Sequence, residues 1–99
     1  MPGQYAIFAS TSTGFIVHSM ASRSELAERQ RFLALLRQVR IDAGLRQEDL
    51  ADKLGQPQSF VSRCESGERR VDVLELREIC EALGTTLADF VRRFEGDER

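Results

Sequence analysis

Two short helix-forming stretches stand only three residues apart, and this spacing constrains the fold more than any other feature of the sequence. The first stretch covers residues 47–54 and ends at Gly55, and its apolar side chains share one face: Leu50, Ala51 and Leu54. Pro57 is suited to the first turn of a second helix, which continues to Gly67. The sequence therefore predicts two short helices joined by a tight turn.

Three further helices are predicted around this pair. Their expected bounds, from N-cap to terminating residue, are Ser24 to Gly44, Asp72 to Gly84, and Thr85 or Thr86 to the polar tail at residues 96–99. Apolar residues recur at spacings of three and four in each helix: Leu26, Leu33, Leu36 and Val39; then Val73, Leu76, Ile79, Cys80 and Leu83; and finally Leu87, Phe90, Val91 and Phe94. The sequence predicts an all-α domain of five helices over residues 23–95.

Residues 1–22 differ from the rest in composition, because they contain no Asp, Glu, Lys or Arg, whereas the remainder carries all 14 basic and 16 acidic residues. β-forming residues flank a Ser-, Thr- and Gly-rich stretch at residues 10–14, which favours a β-hairpin or an extended arm, and a disordered extension is the alternative. Met20 offers a second start just before the first helix. Residues 1–19 are accordingly expected to be either a genuine arm, or leader or foreign sequence.

The charge balance excludes one class of nucleic-acid or membrane binder. A formal net charge of -2 argues against a protein that coats DNA or anionic lipid through bulk basic charge. The acidic excess lies in residues 71–99, however, while residues 37–70 carry seven basic and six acidic residues. Selective binding through a local surface therefore stays open. No apolar run approaches the roughly 18 residues of a membrane span, so no membrane partner is expected.

Few residues suit catalysis, cofactor binding or metal coordination. His18 is the single histidine, and the two cysteines, Cys64 and Cys80, fall on predicted buried helix faces, where packing is favoured over a redox switch. So few cysteines favour a reducing, cytoplasmic compartment. No glycine-rich phosphate loop, serine elbow or carboxylate constellation occurs, and we expect neither an enzyme nor a cofactor.

The second helix of the close pair has a polar outer face. If Val61 and Cys64 point inward, helical geometry turns Gln58, Ser59, Ser62 and Arg63 outward. These side-chain types form hydrogen bonds with base edges and phosphates, although ordinary solvation is the alternative. Phe60 is expected either to pack at the core edge or to contact a thymine methyl group.

Four segments together resemble the phage-repressor and Cro type of helix-turn-helix, the XRE-type family: LRQEDLADKLG at residues 45–55, QSFVSRCESG at 58–67, ERR at 68–70 and VLELREICEALG at 73–84. The resemblance covers about residues 33–94. It implies a compact five-helix, lambda-repressor-like domain that regulates transcription. It also implies double-stranded DNA as the partner, bound by a homodimer at a palindromic operator.

The resemblance also implies roles for individual residues. The expected base contacts are Gln58, Ser59 and Arg63, with Phe60 as a further candidate. The expected phosphate contacts are Gln47, Ser62, Ser66, Arg69 and Arg70; for the two arginines, solvated loop charge is the alternative. Arg40 and Glu65 are expected to form a structural ion pair.

We expect the protein to be a sequence-specific regulator of transcription, and specifically a repressor. The alternative is an antitoxin-like interaction module that binds a toxin or another regulator and binds DNA to control its own gene. Two sets of apolar residues are available to a partner or to residues 4–18: Leu74 and Val91, or Phe32, Leu35 and Ile41.

Overall fold

Five α-helices make up most of the part of the chain that the structure describes. The structure is a computed structural model that describes the backbone of residues 11–96 and the side chains of residues 24–96. The helices are α1 (Thr11–Asp42), α2 (Gln47–Leu54), α3 (Gln58–Ser66), α4 (Val73–Ala82) and α5 (Leu87–Glu95). Residues 11–96 contain no β-strand, so the prediction of an all-α domain is confirmed. The chain divides into two units, Met1–Gln30 and Arg31–Arg99.

Helix α1 begins much earlier than the expected N-cap at Ser24. The stretch from Thr11 to residue 17, expected to lie in a hairpin or arm, is helical, and residues 1–10 of that prediction lie outside the described residues. Extending an existing helix adds one hydrogen bond for each residue fixed, whereas a new helix requires a costly nucleus. This cooperativity outweighs the β-forming tendency of a short stretch. Leu26 is 60 % exposed, unlike Leu36 and Val39 further along α1.

The hydrophobic core of the second unit draws on all five helices. Its buried members are Leu36 and Val39 of α1, Leu50 and Ala51 of α2, Val61 and Cys64 of α3, Leu76, Ile79 and Cys80 of α4, Leu83 just after α4, and Phe90 of α5. These residues follow the predicted apolar periodicity. Val73 and Val91 do not, because they are 61 % and 45 % exposed. Val73 is the first residue of α4 and lies beyond the edge of the core.

Helix α5 is held against α1 by aromatic and polar contacts. The Phe32 ring meets the rings of Phe90 and Phe94 edge to face, with centroids 5.8 and 6.3 Å apart. The Arg31 guanidinium lies 4.5 Å from the Phe94 ring centroid and donates two hydrogen bonds, of 2.8 and 3.1 Å, to the Phe94 carbonyl oxygen. Phe32 and Leu35 are thus packed against the core, whereas Ile41, Leu74 and Val91 are exposed.

Both cysteine thiols belong to this core. Cys64 and Cys80 are free and buried. Burial raises the pKa of Cys80 to about 11 and is also the main reason that the pKa of Cys64 is raised. Because the thiolate is the reactive form, both side chains behave as small apolar groups near neutral pH.

The turn after α3 favours glycine for two reasons. Gly67 ends α3 with φ of 88°, in the left-handed region. A Cβ at this position would lie only 2.9 Å from Cδ1 of Leu33 in α1. Gly84, after α4, has a similar φ of 80°, but a Cβ there would meet nothing within 4 Å. The α3 terminus therefore combines a backbone constraint with a close approach to α1.

We expect Gly67→Ala to destabilise the protein more than Gly84→Ala. Both substitutions place a side chain at positive φ, which costs about 1–2 kcal/mol. Only Gly67→Ala must also shift Cδ1, the far end of the flexible Leu33 side chain, at a further cost of at most about 1 kcal/mol. Urea unfolding of both variants measures the difference, and equal losses would contradict a steric role for the approach to Leu33.

Candidate nucleic-acid interface

Helices α2 and α3 are connected by Gly55, Gln56 and Pro57 alone. The Gly55 and Gln56 backbone N–H groups donate to the carbonyl oxygens of Asp52 and Ala51, at 3.1 and 2.9 Å, so that the connection folds back on the end of α2. Pro57, which has no N–H group to satisfy, is the N-cap of α3. The two helices share one buried side, formed by Leu50, Ala51, Val61 and Cys64.

The opposite side of α3 faces solvent. Gln58, Ser59 and Arg63 are exposed, and Ser62 is half-buried. Their positions along the helix place them on one face, as the inward positions of Val61 and Cys64 require. This face is therefore polar, uninterrupted and fixed from behind by the core.

A buried ion pair ties α1 to α3. Nε of Arg40 donates to Oε2 of Glu65 at 2.6 Å, and Nη2 donates to Oε1 at 3.0 Å. The two side chains are only 9 % and 5 % exposed. Nη1 of Arg40 also donates to the carbonyl oxygen of Leu45 at 2.7 Å, which joins the loop before α2 to the same guanidinium. The pair that the family resemblance implied is thus present and bidentate.

Gln47 connects this ion pair with the exposed face. As the first residue of α2, it donates from Nε2 to Oε1 of Glu65 at 3.0 Å. Its Oε1 accepts a hydrogen bond of 2.7 Å from Nε2 of Gln58, the first residue of α3. The sequence predicts Gln47 and Gln58 as separate DNA contacts and does not predict the hydrogen bond between them. The one available signal was that a glutamine opens each of two consecutive helices.

Arg69, predicted to be a phosphate contact or a solvated loop charge, is paired with a carboxylate within the protein. Its Nη1 and Nη2 atoms donate to the two carboxylate oxygens of Glu75 in α4, at 3.0 and 2.7 Å. Its Cζ lies 4.7 Å from the centroid of the Phe60 ring. Phe60 is half-buried and packs against the core, so it lies between the core and this guanidinium. The neighbouring Arg70 side chain is exposed.

Glu75 has a second role at the start of α4. Its carboxylate accepts the Asp72 backbone N–H at 3.1 Å, and the Asp72 carboxylate accepts the Glu75 backbone N–H at 2.8 Å, which forms a capping box. The hydrogen bond from Arg69, and then that from the Asp72 backbone, holds the pKa of Glu75 below its ordinary value of 4.5. One carboxylate therefore joins the loop after α3 to the first turn of α4.

Ser66 lies at the end of α3, away from the first turn of that helix. Its hydroxyl donates to the Arg63 carbonyl oxygen at 3.2 Å and accepts the Glu68 backbone N–H at 3.3 Å.

Across the described part of the chain, no cluster of His, Cys, Asp and Glu is arranged to hold a metal ion. Within residues 11–96, none of the helices combines the length and the hydrophobicity that crossing a bilayer requires.

Comparison with known proteins identifies the class of this two-helix arrangement. A helix-turn-helix family model matches residues 36–90, more than half of the chain. The chain belongs to the helix-turn-helix family. Its structure resembles that of an XRE-family like protein from Pseudomonas syringae pv. tomato str. DC3000, with 38% sequence identity over 81% of this chain and 98% of that one, and a TM-score of 0.73. No curated protein sequence matches the chain.

A second solved structure extends the comparison to a named regulator. The structure is similar to that of the clp gene regulator ClgR from C. glutamicum, with a TM-score of 0.62. The two chains are 29% identical, and the match covers 73% of this chain and 94% of that one. The XRE-type resemblance inferred from the sequence is thus confirmed, and the protein is a DNA-binding transcriptional regulator. Helices α2 and α3 form its helix-turn-helix, with α3 in the place of the recognition helix.

We expect Glu65→Ala to destabilise this helix-turn-helix domain by roughly 3–5 kcal/mol, because it leaves the Arg40 guanidinium buried without its carboxylate. Glu48→Ala is the matched control. It breaks an ion pair with Arg46 whose side chains are 72% and 59% exposed, and we expect a loss below about 1 kcal/mol. Urea unfolding at neutral pH measures both, and similar losses in the two variants would rule out a special role for the buried pair.

The low pKa of Glu75 predicts a pH-dependent contribution to stability. Because the folded-state pKa lies below the ordinary value of 4.5, the contribution is complete above that pH and disappears as the pH falls through the folded-state pKa. The difference in unfolding free energy between the wild type and Glu75→Gln should therefore shrink from about pH 7 to about pH 3. A difference that stays constant over this range would show that the Arg69 hydrogen bonds do not depend on the charge of Glu75.

Proposed function

We propose that the protein is a repressor that binds a palindromic operator as a homodimer, with α3 in the major groove. The observation that carries this proposal is the outer face of α3, where Gln58, Ser59 and Arg63 are exposed together on a helix fixed from behind. The major groove admits one α-helix and presents a distinct hydrogen-bonding pattern for each base pair. Repression needs no more than occupation of the operator.

The chemistry of the three exposed side chains supports base contacts. Gln58 uses one N–H in its bond to Gln47, which leaves its amide oxygen and a second N–H for the paired acceptor and donor that adenine presents. The Arg63 guanidinium is exposed and suited to the two acceptors of guanine. Ser59, in the first turn, has a hydroxyl that suits either kind of base.

A second group of residues supports contacts with the DNA backbone. Gln47 lies at the N-terminus of α2, where the helix dipole favours phosphate, and its amide keeps one N–H beyond the bond to Glu65. Ser62, Ser66 and the exposed Arg70 complete the proposed phosphate contacts. These contacts set the register of α3 and carry no sequence information themselves.

The homodimer in the proposal follows from the size of one recognition helix. A single α3 meets too few base pairs for useful selectivity. Two copies related by a two-fold axis and about 34 Å apart reach successive major grooves on one side of the duplex. A two-fold protein requires a palindromic site, and the proposal therefore predicts matching half-sites about one helical turn apart.

The proposal is tested by selecting duplexes from a random-sequence library with the purified wild-type chain. We expect an enriched sequence with two inverted half-sites, bound with two chains per duplex. Failure to enrich any sequence, under salt conditions in which a known repressor succeeds, would overturn sequence-specific binding. Enrichment of a single, unrepeated half-site bound by one chain would overturn the homodimer.

Substitution of Arg63 then tests the base contact. We expect Arg63→Ala to weaken binding to the selected duplex by about 1–3 kcal/mol and to relax selectivity at one base position in each half-site. Arg77→Ala, which removes the same charge from an exposed position on α4, is the control and should change affinity little. Equal losses for Arg63→Ala on selected and random duplexes would instead assign Arg63 to the phosphates.

A further inference from the structure

The Arg69 side chain lies in the turn between α3 and α4 and contacts both helices and the turn itself. Its guanidinium forms both hydrogen bonds to Glu75 in the first turn of α4, and Nη1 also donates to the Arg70 carbonyl oxygen at 3.1 Å. The same group stacks on Phe60 in the first turn of α3. The Arg69 backbone N–H donates to the Arg63 carbonyl oxygen at 3.1 Å. Arg69 thus joins both ends of α3 to α4.

The contact with Phe60 bears directly on the orientation of α3. Phe60 lies next to Ser59 in the sequence and almost one helical turn before Arg63. Any rotation of α3 about its axis that displaces the Phe60 ring therefore also moves these two exposed side chains. The core packs against Phe60 from one side, and the Arg69 guanidinium covers its ring face. Two surfaces therefore hold the ring, and one of them is Arg69.

Three of the five N–H donors of Arg69, and its charge, are already engaged within the protein. Three of its hydrogen bonds are directed at Glu75 and the Arg70 carbonyl oxygen, and the Glu75 carboxylate balances its charge. A phosphate group would have to compete with this bidentate carboxylate. The adjacent Arg70 has an exposed side chain and so provides a natural comparison.

We propose that Arg69 is a positioning residue, which is anchored to Glu75 and sets the orientation of α3 for DNA by holding Phe60 against the core, and that it does not bind phosphate. This inference rests on the proposed function, because it assigns α3 the contact with DNA. Arg69 acts through Phe60 and Glu75 and is not itself a DNA contact. Arginine is required here, because lysine keeps the charge but lacks the planar, forked donors that bind a carboxylate twice.

The experiment compares Arg69→Lys and Arg69→Ala with Arg70→Ala, on the duplex selected by the wild type and on a random duplex, over a range of salt concentrations. We expect both Arg69 variants to lose about tenfold in affinity for the selected duplex, with little change on the random duplex. The slope of log affinity against log salt should stay at the wild-type value. Arg70→Ala should weaken both duplexes and lower the slope by about 0.9 for each contact removed.

Glu75→Gln provides an independent test, with Glu78→Gln as its control, because Glu78 is an exposed glutamate on the same helix. A positioning role predicts that Glu75→Gln weakens selected-duplex binding as Arg69→Lys does, and that the double variant is no weaker than either single one. If Arg69 were a phosphate contact held back by Glu75, Glu75→Gln would tighten random-duplex binding beyond Glu78→Gln, and Arg69→Lys would bind like the wild type. Either of those results would overturn the proposal.

A measurement without DNA separates this inference from the proposed function. In two-dimensional NMR spectra, Arg69→Lys and Glu75→Gln should shift the α3 backbone amides, and Arg70→Ala should not. Unshifted α3 amides would overturn the positioning role even if a selected duplex exists. If no sequence is enriched, the proposed function fails, and the amide shifts alone then test whether Arg69 positions α3. Variants that lose thermal stability but keep full selected-duplex affinity when folded would reduce Arg69 to a structural residue and also overturn the proposal.

Discussion

The buried ion pair between Arg40 and Glu65 fixes the position of α3 against α1. Removing two charges from water costs several kcal/mol per ion, and only good geometry with further hydrogen bonds offsets that cost. Here the guanidinium meets both carboxylate oxygens and the Leu45 carbonyl oxygen, and the carboxylate also accepts from Gln47. The pair therefore favours one arrangement of α1, α2 and α3 over others of similar apolar burial. A shift of α1 or α3 separates the two charges, and a shift of α2 removes the Gln47 hydrogen bond from the buried carboxylate.

The same network gives the side chains of the outer face unequal freedom. Gln58 is tethered through Gln47 to the buried carboxylate, so its amide is oriented before any DNA arrives. The exposed Arg63 side chain projects from α3 without such a tether. A pre-oriented amide loses little conformational entropy on binding, whereas a free arginine must be ordered. Under the proposed function, the first turn of α3 therefore supplies the more rigid contacts, and its later turn the more adaptable ones.

Periodicity was sufficient to predict most of the core, because residues such as Leu36 and Ile79 face inward at regular helical spacings. The ion pair followed from family resemblance alone, since nothing in the spacing of two residues 25 positions apart indicates a contact. The Arg69–Glu75 pair was missed because a loop charge has no periodic signal and its partner depends on how α4 is placed. Residues 11–17 were predicted to lie in a hairpin or arm because of their β-forming composition, but they belong to α1, since extending an existing helix costs less than starting a new one.

Ion pairing, more than composition, sets the charge that α3 and the turn after it present to DNA. Of the charged residues between 58 and 70, Glu65 is neutralised by Arg40 and Arg69 by Glu75, which leaves Arg63, Arg70 and Glu68. The surface is therefore mildly basic in a chain of net charge -2. So small a local excess attracts random DNA weakly, because non-specific affinity grows with the number of phosphates neutralised. Under the proposed function, discrimination then rests on the few base contacts of α3, and a residue that fixes the angle of α3 affects selectivity more than overall attraction.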